Sequence, residues 1–135
     1  MDASPKSRKA LAYALEEFTD VEITVLHVTN PIEDTYFTGE EDFMTDFEAL
    51  EERGEREAEA ILEDARHLAD DYEVDLLTER AFGPPANTIV EFIEDGDFDQ
   101  VVLGSHGRSG LARLFLGSVA EKVARRAPVP VTIVK

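Results

Sequence analysis

The sequence predicts an α/β fold: an open parallel sheet with helices on both faces. Three observations carry this. Short runs rich in β-branched residues alternate with longer stretches whose apolar residues recur at helical spacing. The order is α-β-α-β-α-β-α-β, and regular alternation of this kind makes the strands parallel, with few right-handed topologies open to them. The length of 135 residues, with no linker, repeat or composition shift, fits one domain over residues 1–135.

Each element has its own signal. Ser4-Pro5 opens the first helix, because serine caps free N–H groups and proline suits the first helical position. Leu11, Ala14, Leu15 and Phe18 form its inner stripe. Residues 22–28, Glu-Ile-Thr-Val-Leu-His-Val, read as a strand. A polar loop around Pro31 and Gly39 follows, up to about residue 44. A long helix is expected from about Asp46 to Tyr72, with Ala58, Ile61, Leu62, Ala65, Leu68 and Tyr72 inward and Glu and Arg outward. Val74 to about Ala81 is the next strand, broken by Gly83-Pro84-Pro85. These start a helix whose inner face is Ala86, Ile89, Val90 and Ile93, ended by Asp95-Gly96-Asp97. Gln100–Leu103 is a strand, Ser118–Ala127 a helix, and Pro128–Val134 the last strand. Pro130 lacks an N–H and favours the sheet edge.

Composition excludes several classes. The chain has no cysteine, which removes disulfides, thiolate chemistry and cysteine-built zinc sites. No apolar run approaches the roughly 20 residues of a membrane span, and no secretory signal is visible at the N-terminus, so a cytoplasmic location is expected. The 30 acidic residues against 13 basic give a net charge of −17, which argues against nucleic acid and anionic membrane as partners. Spread over the helices, this charge suggests an acidic surface adapted to a high-salt cytosol. An ordinary acidic protein is the plainer alternative.

One stretch calls for more than a fold. Gly104–Ser118 reads GSHGRSGLARLFLGS, with glycines at 104, 107, 110 and 117. It leaves the end of a buried strand, where parallel sheets bind ligands. It leads into a helix N-terminus, whose free N–H groups suit phosphate. Gly104, Gly107 and Gly117 would let backbone approach a ligand. Ser105, Ser109 and Ser118 would add hydroxyls, and Arg108 and Arg113 would screen phosphate charge. A glycine-rich turn with no ligand is the plain alternative, weakened by the loop's length. Neither GxxxxGK[ST] nor GxGxxG is present.

The spacing Gly104-x2-Gly107-x9-Gly117-Ser118 resembles the G-x2-G-x9-G-[ST] signature of the ATP-binding branch of universal stress proteins. Leu26-His27-Val28, Gly83-x-Pro85 and Ala127-Pro128-Val129 are similar to flanking features of that family. The resemblance spans nearly the whole chain. It implies a Rossmann-like sheet of strand order 3-2-1-4-5 that binds ATP, with ADP or AMP as alternatives, and magnesium carried on the phosphates. Val28 would meet adenine through its backbone, and Leu103 would pack against the nucleoside. Gly104, Gly107, Gly117, Ser118 and Val119 would hold ribose and phosphates, with the Ser105 hydroxyl and the Arg108 charge read above as further binding groups. Asp2, with Ala3 beside it, matches the aspartate that closes the family's first strand. That strand has no counterpart here, which suggests a natural start upstream of Met1. For a chain beginning at Met1 the expectation is a gapped or rearranged sheet, with strands about 10 Å apart, twice the usual spacing. The resemblance also implies a homodimer through the last strand, Val129 to Val134.

The function expected is a nucleotide-dependent sensor or regulator of the stress response. A dimeric interaction module that does not use nucleotide is the alternative, and a slow ATPase a further one. No catalytic residue is assigned: GxSxG is missing, and the neighbours Ser105 and His106 do not make a nucleophile and base by adjacency. No protein metal site is expected either. His67 falls on a charged helix face, His27 ends a strand near the loop, and no HExxH or EF-hand pattern occurs.

Overall fold

The computed structural model describes residues 1–30, 47–105 and 116–135. Four helices and four parallel strands alternate along them: α1 (Pro5–Glu17), β1 (Thr24–Thr29), α2 (Phe47–Asp70), β2 (Leu77–Phe82), α3 (Pro85–Asp95), β3 (Val101–Gly104), α4 (Ser118–Arg126) and β4 (Val131–Val134). The α1 start follows from sequence chemistry: Ser4 caps it, its hydroxyl accepting from Ser7 N at 3.2 Å, and Pro5 takes the first helical position.

The strands form two two-stranded sheets, β1 with β2 and β3 with β4, both parallel. β1 and β3 share no ladder, so the gapped layer expected for this stretch of chain is what is found. Helices span the division. α1 packs on β3, β4 and α2, while α3 packs on β1, β2 and α4. The two sheets therefore act as parts of one layer held from both faces.

Each face has its own apolar cluster. On one, Leu11 and Leu15 of α1 meet Val25 of β1 and Leu62, Ala65 and Ala69 of α2. On the other, Ala86, Val90 and Ile93 of α3 meet Val123 of α4, with Val101, Leu103, Val129 and Val131 against them. Strand alternation assigns the faces: Val101 and Leu103 point to the α3/α4 side, and Gly104 points to α1. There the backbone of Lys6 lies 2.8 Å from where a Gly104 Cβ would be. A side chain at 104 would push α1 off the sheet. Full burial of a residue such as Leu62 contributes about 1.5–3 kcal/mol.

Candidate functional site

The site is assembled at the carboxyl ends of β1 and β3, and the strand registers say which backbone groups face it. Leu77 N donates to Ile23 O and Gly83 N to Thr29 O, so the odd-numbered residues of β1 bond to β2. In a parallel ladder the alternate residues point the other way. The N–H and C=O of Leu26 and Val28 are thus turned from β2 toward β3. The Leu26 carbonyl accepts from Met1 N, in keeping with this. In the same way Val101 N donates to Pro130 O and Ser105 N to Val134 O, which leaves the backbone of Gly104 facing β1. Among the described residues, Val28 and Gly104 therefore present backbone edges without ladder partners to the same space.

That space is a cavity of about 220 Å³. Its walls include Val28, Thr29 and Asn30 at the end of β1, Leu103 to Ser105 at the end of β3, and Gly117 to Ala120 at the start of α4. Ser105 is buried, 3% exposed, and ties the neck of the glycine loop. Its carbonyl accepts from Gly117 N at 2.7 Å, and its own N–H donates to Val134 O at 2.9 Å. The first α4 bond beyond the neck is Glu121 N to Gly117 O, 3.0 Å. The N–H groups of Ser118, Val119 and Ala120 precede it, and among the described residues no side chain caps this helix. Uncapped donors with the positive end of a helix dipole behind them form a ready anion site.

The predicted residues divide accordingly. Asp2, Val28, Leu103, Gly104, Ser105, Gly117, Ser118 and Val119 all line the cavity. Asp2 is held in a turn, its Oδ1 accepting from Ser4 N at 2.8 Å and its N–H donating to Ser7 Oγ at 3.0 Å. Ala3 is exposed and is not part of the lining. Gly107 and Arg108, with His106, Ser109 and Arg113, lie outside the described residues. His27 is 4% exposed, and its Nδ1–H donates to Met1 O at 2.6 Å. His67 is exposed and pairs with Glu63 at 3.1 Å. Among the described residues no group of three His, Asp or Glu could hold a metal ion, and no helix is long and apolar enough to cross a membrane.

The cavity also has walls that sequence reasoning missed. Pro85 and Ile89 come from α3, and Gly54 and Glu57 from α2. The one signal available was a glycine inside a long helix, which costs about 0.5–1 kcal/mol against alanine. Among the described residues, an added Cβ at Gly54 would meet only Thr29 Cγ2, at 3.6 Å, an ordinary contact.

Comparison with known proteins places this geometry. The model described as Universal stress protein family matches residues 1–135. The chain is 35% identical over 137 residues to Universal stress protein MJ0531 of Methanocaldococcus jannaschii, covering 99% of this chain and 78% of that protein. The solved structure of hypothetical protein MJ0577, from the same organism, superposes with a TM-score of 0.82 at 28% identity, covering 100% of this chain and 91% of that one. A universal stress protein crystallised in complex with cAMP shares the fold, with a TM-score of 0.72 at 24% identity, covering 100% of this chain and 92% of its own.

Proposed function

The chain belongs to the universal stress protein family, and from that premise we propose that it is an ATP-binding stress-response protein, a nucleotide-dependent sensor or regulator. One observation carries the reading. The start of α4, entered through Gly117, opens on the same cavity as the backbone edge of Val28 and the side chain of Leu103. Phosphate at the helix start and a base at Val28 are the two ends of one ligand. The cavity volume, just under the roughly 300–1,000 Å³ usual for small-molecule sites, suits a mononucleotide.

The N–H groups of Ser118, Val119 and Ala120 would accept the phosphates, and the Ser118 hydroxyl, exposed at the helix start, would add a donor. Val28 would hydrogen-bond the base through its backbone, and Leu103 would cover one side of the nucleoside. ADP and AMP would make the same base and ribose contacts. A magnesium ion accompanying ATP would take most of its ligands from phosphate and water. The outer edge of β4 would pair with a second copy over Val129 to Val134, giving a two-fold homodimer.

Titration calorimetry of the whole chain with ATP tests the reading. Saturable binding is expected. Gly117→Val should weaken it about a hundredfold, since blocked approach costs two or three charge-assisted hydrogen bonds. Unchanged affinity in that variant removes the loop and the α4 start from the site.

A further inference from the structure

The phosphate-facing wall of the cavity is α4, which belongs to the cluster with α3. The wall formed by α2 belongs to the other cluster, with α1 and β1, and it differs in chemistry. Gly54 and Glu57 are three residues apart, so they share one helix face, and both line the cavity. Gly54 is buried inside a helix without a positive φ, and among the described residues an added Cβ would meet only Thr29 Cγ2, at 3.6 Å. What its missing side chain provides is room in the cavity. Glu57, half-buried on the same face and engaged in an interaction of its own, is the second lining residue that this helix supplies. The cavity is thus polarised, with uncapped N–H donors on one wall and an acceptor on the other. A nucleotide is polarised in the matching sense, with polyphosphate at one end and a nucleoside carrying hydroxyl and amine donors at the other.

We infer that Gly54 and Glu57 form a nucleoside-reading wall, in which Gly54 leaves space for the ligand and the Glu57 carboxylate accepts a hydrogen bond from a nucleoside donor. The inference rests on the nucleotide-binding reading above. The donor is a ribose hydroxyl or the exocyclic amine of the base, and the same acceptor chemistry serves either. A carboxylate in this place also sets a direction. Phosphate bound on the α2 side would meet a like charge, so Glu57 favours the orientation with phosphates at α4.

The test uses the full chain, with ATP, 2′,3′-dideoxy-ATP and inosine triphosphate as probes in calorimetry. Glu57→Gln and Glu57→Ala should each weaken ATP binding, the alanine variant about tenfold, as expected for loss of a charge-assisted hydrogen bond. If Glu57 reads the ribose, Glu57→Ala and the dideoxy analogue give losses that do not add. If it reads the amine, the losses with inosine triphosphate do not add. Either result supports the inference, and additive losses with both analogues overturn it. Gly54→Ala supplies a readout that a structural role would not produce: its melting temperature should rise while its ATP affinity falls several-fold. Affinity unchanged in both Gly54→Ala and Glu57→Ala, with Gly117→Val still blocking, overturns the inference and leaves the nucleotide site standing. Absence of ATP binding by the unaltered chain overturns both.

Discussion

The two outer strands of the layer, β2 and β4, are both parallel edges, yet they are protected differently. β2 reads Leu-Thr-Glu-Arg-Ala-Phe, with Leu77, Glu79, Arg80 and Phe82 exposed, Phe82 to 65%. Its charges are tied to α2: Arg80 pairs with Glu59, and Arg66 Nη2 donates to Thr78 Oγ1 at 3.1 Å. β4 reads Val-Thr-Ile-Val, carries no charge, and is half-buried throughout, with α1 on one face and the α3/α4 cluster on the other. Among the described strands it pairs with β3 alone, so its other backbone edge has no ladder partner there. Charge on an edge strand discourages pairing, and an apolar edge invites it. The difference teaches that the association proposed for this chain belongs to β4, and that β2 is guarded against it.

The largest expected effect breaks the comparison at β4. The register directs the N–H of Thr132 toward Val101 and that of Ile133 outward. Ile133→Pro should weaken self-association at least about a hundredfold, because it removes an outward donor from the paired edge, while the monomer stays folded. Thr132→Pro should instead destabilise the monomer by about 1–3 kcal/mol, having removed an inward rung. Sedimentation and thermal melts separate the two, and an Ile133→Pro dimer as tight as the original would remove β4 as the interface.

A second test removes the guard. Glu79→Val with Arg80→Val makes β2 resemble β4, and concentration-dependent scattering should rise above that of the unaltered chain. If the double variant behaves as the parent does, charge is not what protects β2.

The two halves also differ in charge. α2 is dense in glutamate, whereas α4 ends in Arg125 and Arg126, with Glu121 and Arg125 paired at 2.7 Å. Salt screens self-repulsion, so raising it from dilute buffer toward molar should slow amide exchange in α2 more than in α4 and raise the melting temperature. Equal protection at all ionic strengths would count against a salt-adapted surface.

The smallest effect concerns Glu59. Its carboxyl lies below the ordinary value, first because Arg66 hydrogen-bonds it, and further because of the charges of Arg66 and Arg80. A depressed folded-state value adds stability that is present above the unfolded-state pKa and lost as pH falls through the folded one. The melting-temperature gap between the parent and Glu59→Gln should therefore be open at neutral pH and close in acid. Solvent exposure keeps this gap small and salt-sensitive.

Much of this fold was legible because its signals are local. The Ser4-Pro5 cap, the stripe through Ala58, Ile61, Leu62 and Ala65, and the glycine-proline break at residues 83–85 each follow from neighbours in the chain. Strand ends were less legible. β2 begins at Leu77 although the apolar run begins at Val74, because Val74 and Leu76 pack against the first cluster before the ladder starts. β4 begins at Val131, after two prolines that cannot donate. The α4 wall of the cavity was readable from Gly117 and Ser118, but Gly54 and Glu57 were not. They lie on a helix whose repeating glutamates read as a solvated face, and only the fold brings them to the strand ends. Gly104 was read as letting backbone approach a ligand; it lines the cavity, and its bare Cα also admits the backbone of Lys6, a packing role the sequence did not signal.

Ser105 holds a consequence of a different kind. Its carbonyl accepts from Gly117 N–H and its own N–H donates to Val134 O, so one buried residue ties the start of α4 to the ends of β3 and β4. Both ties use backbone atoms alone, so a change of side chain at this position leaves the helix start fixed to the two strands.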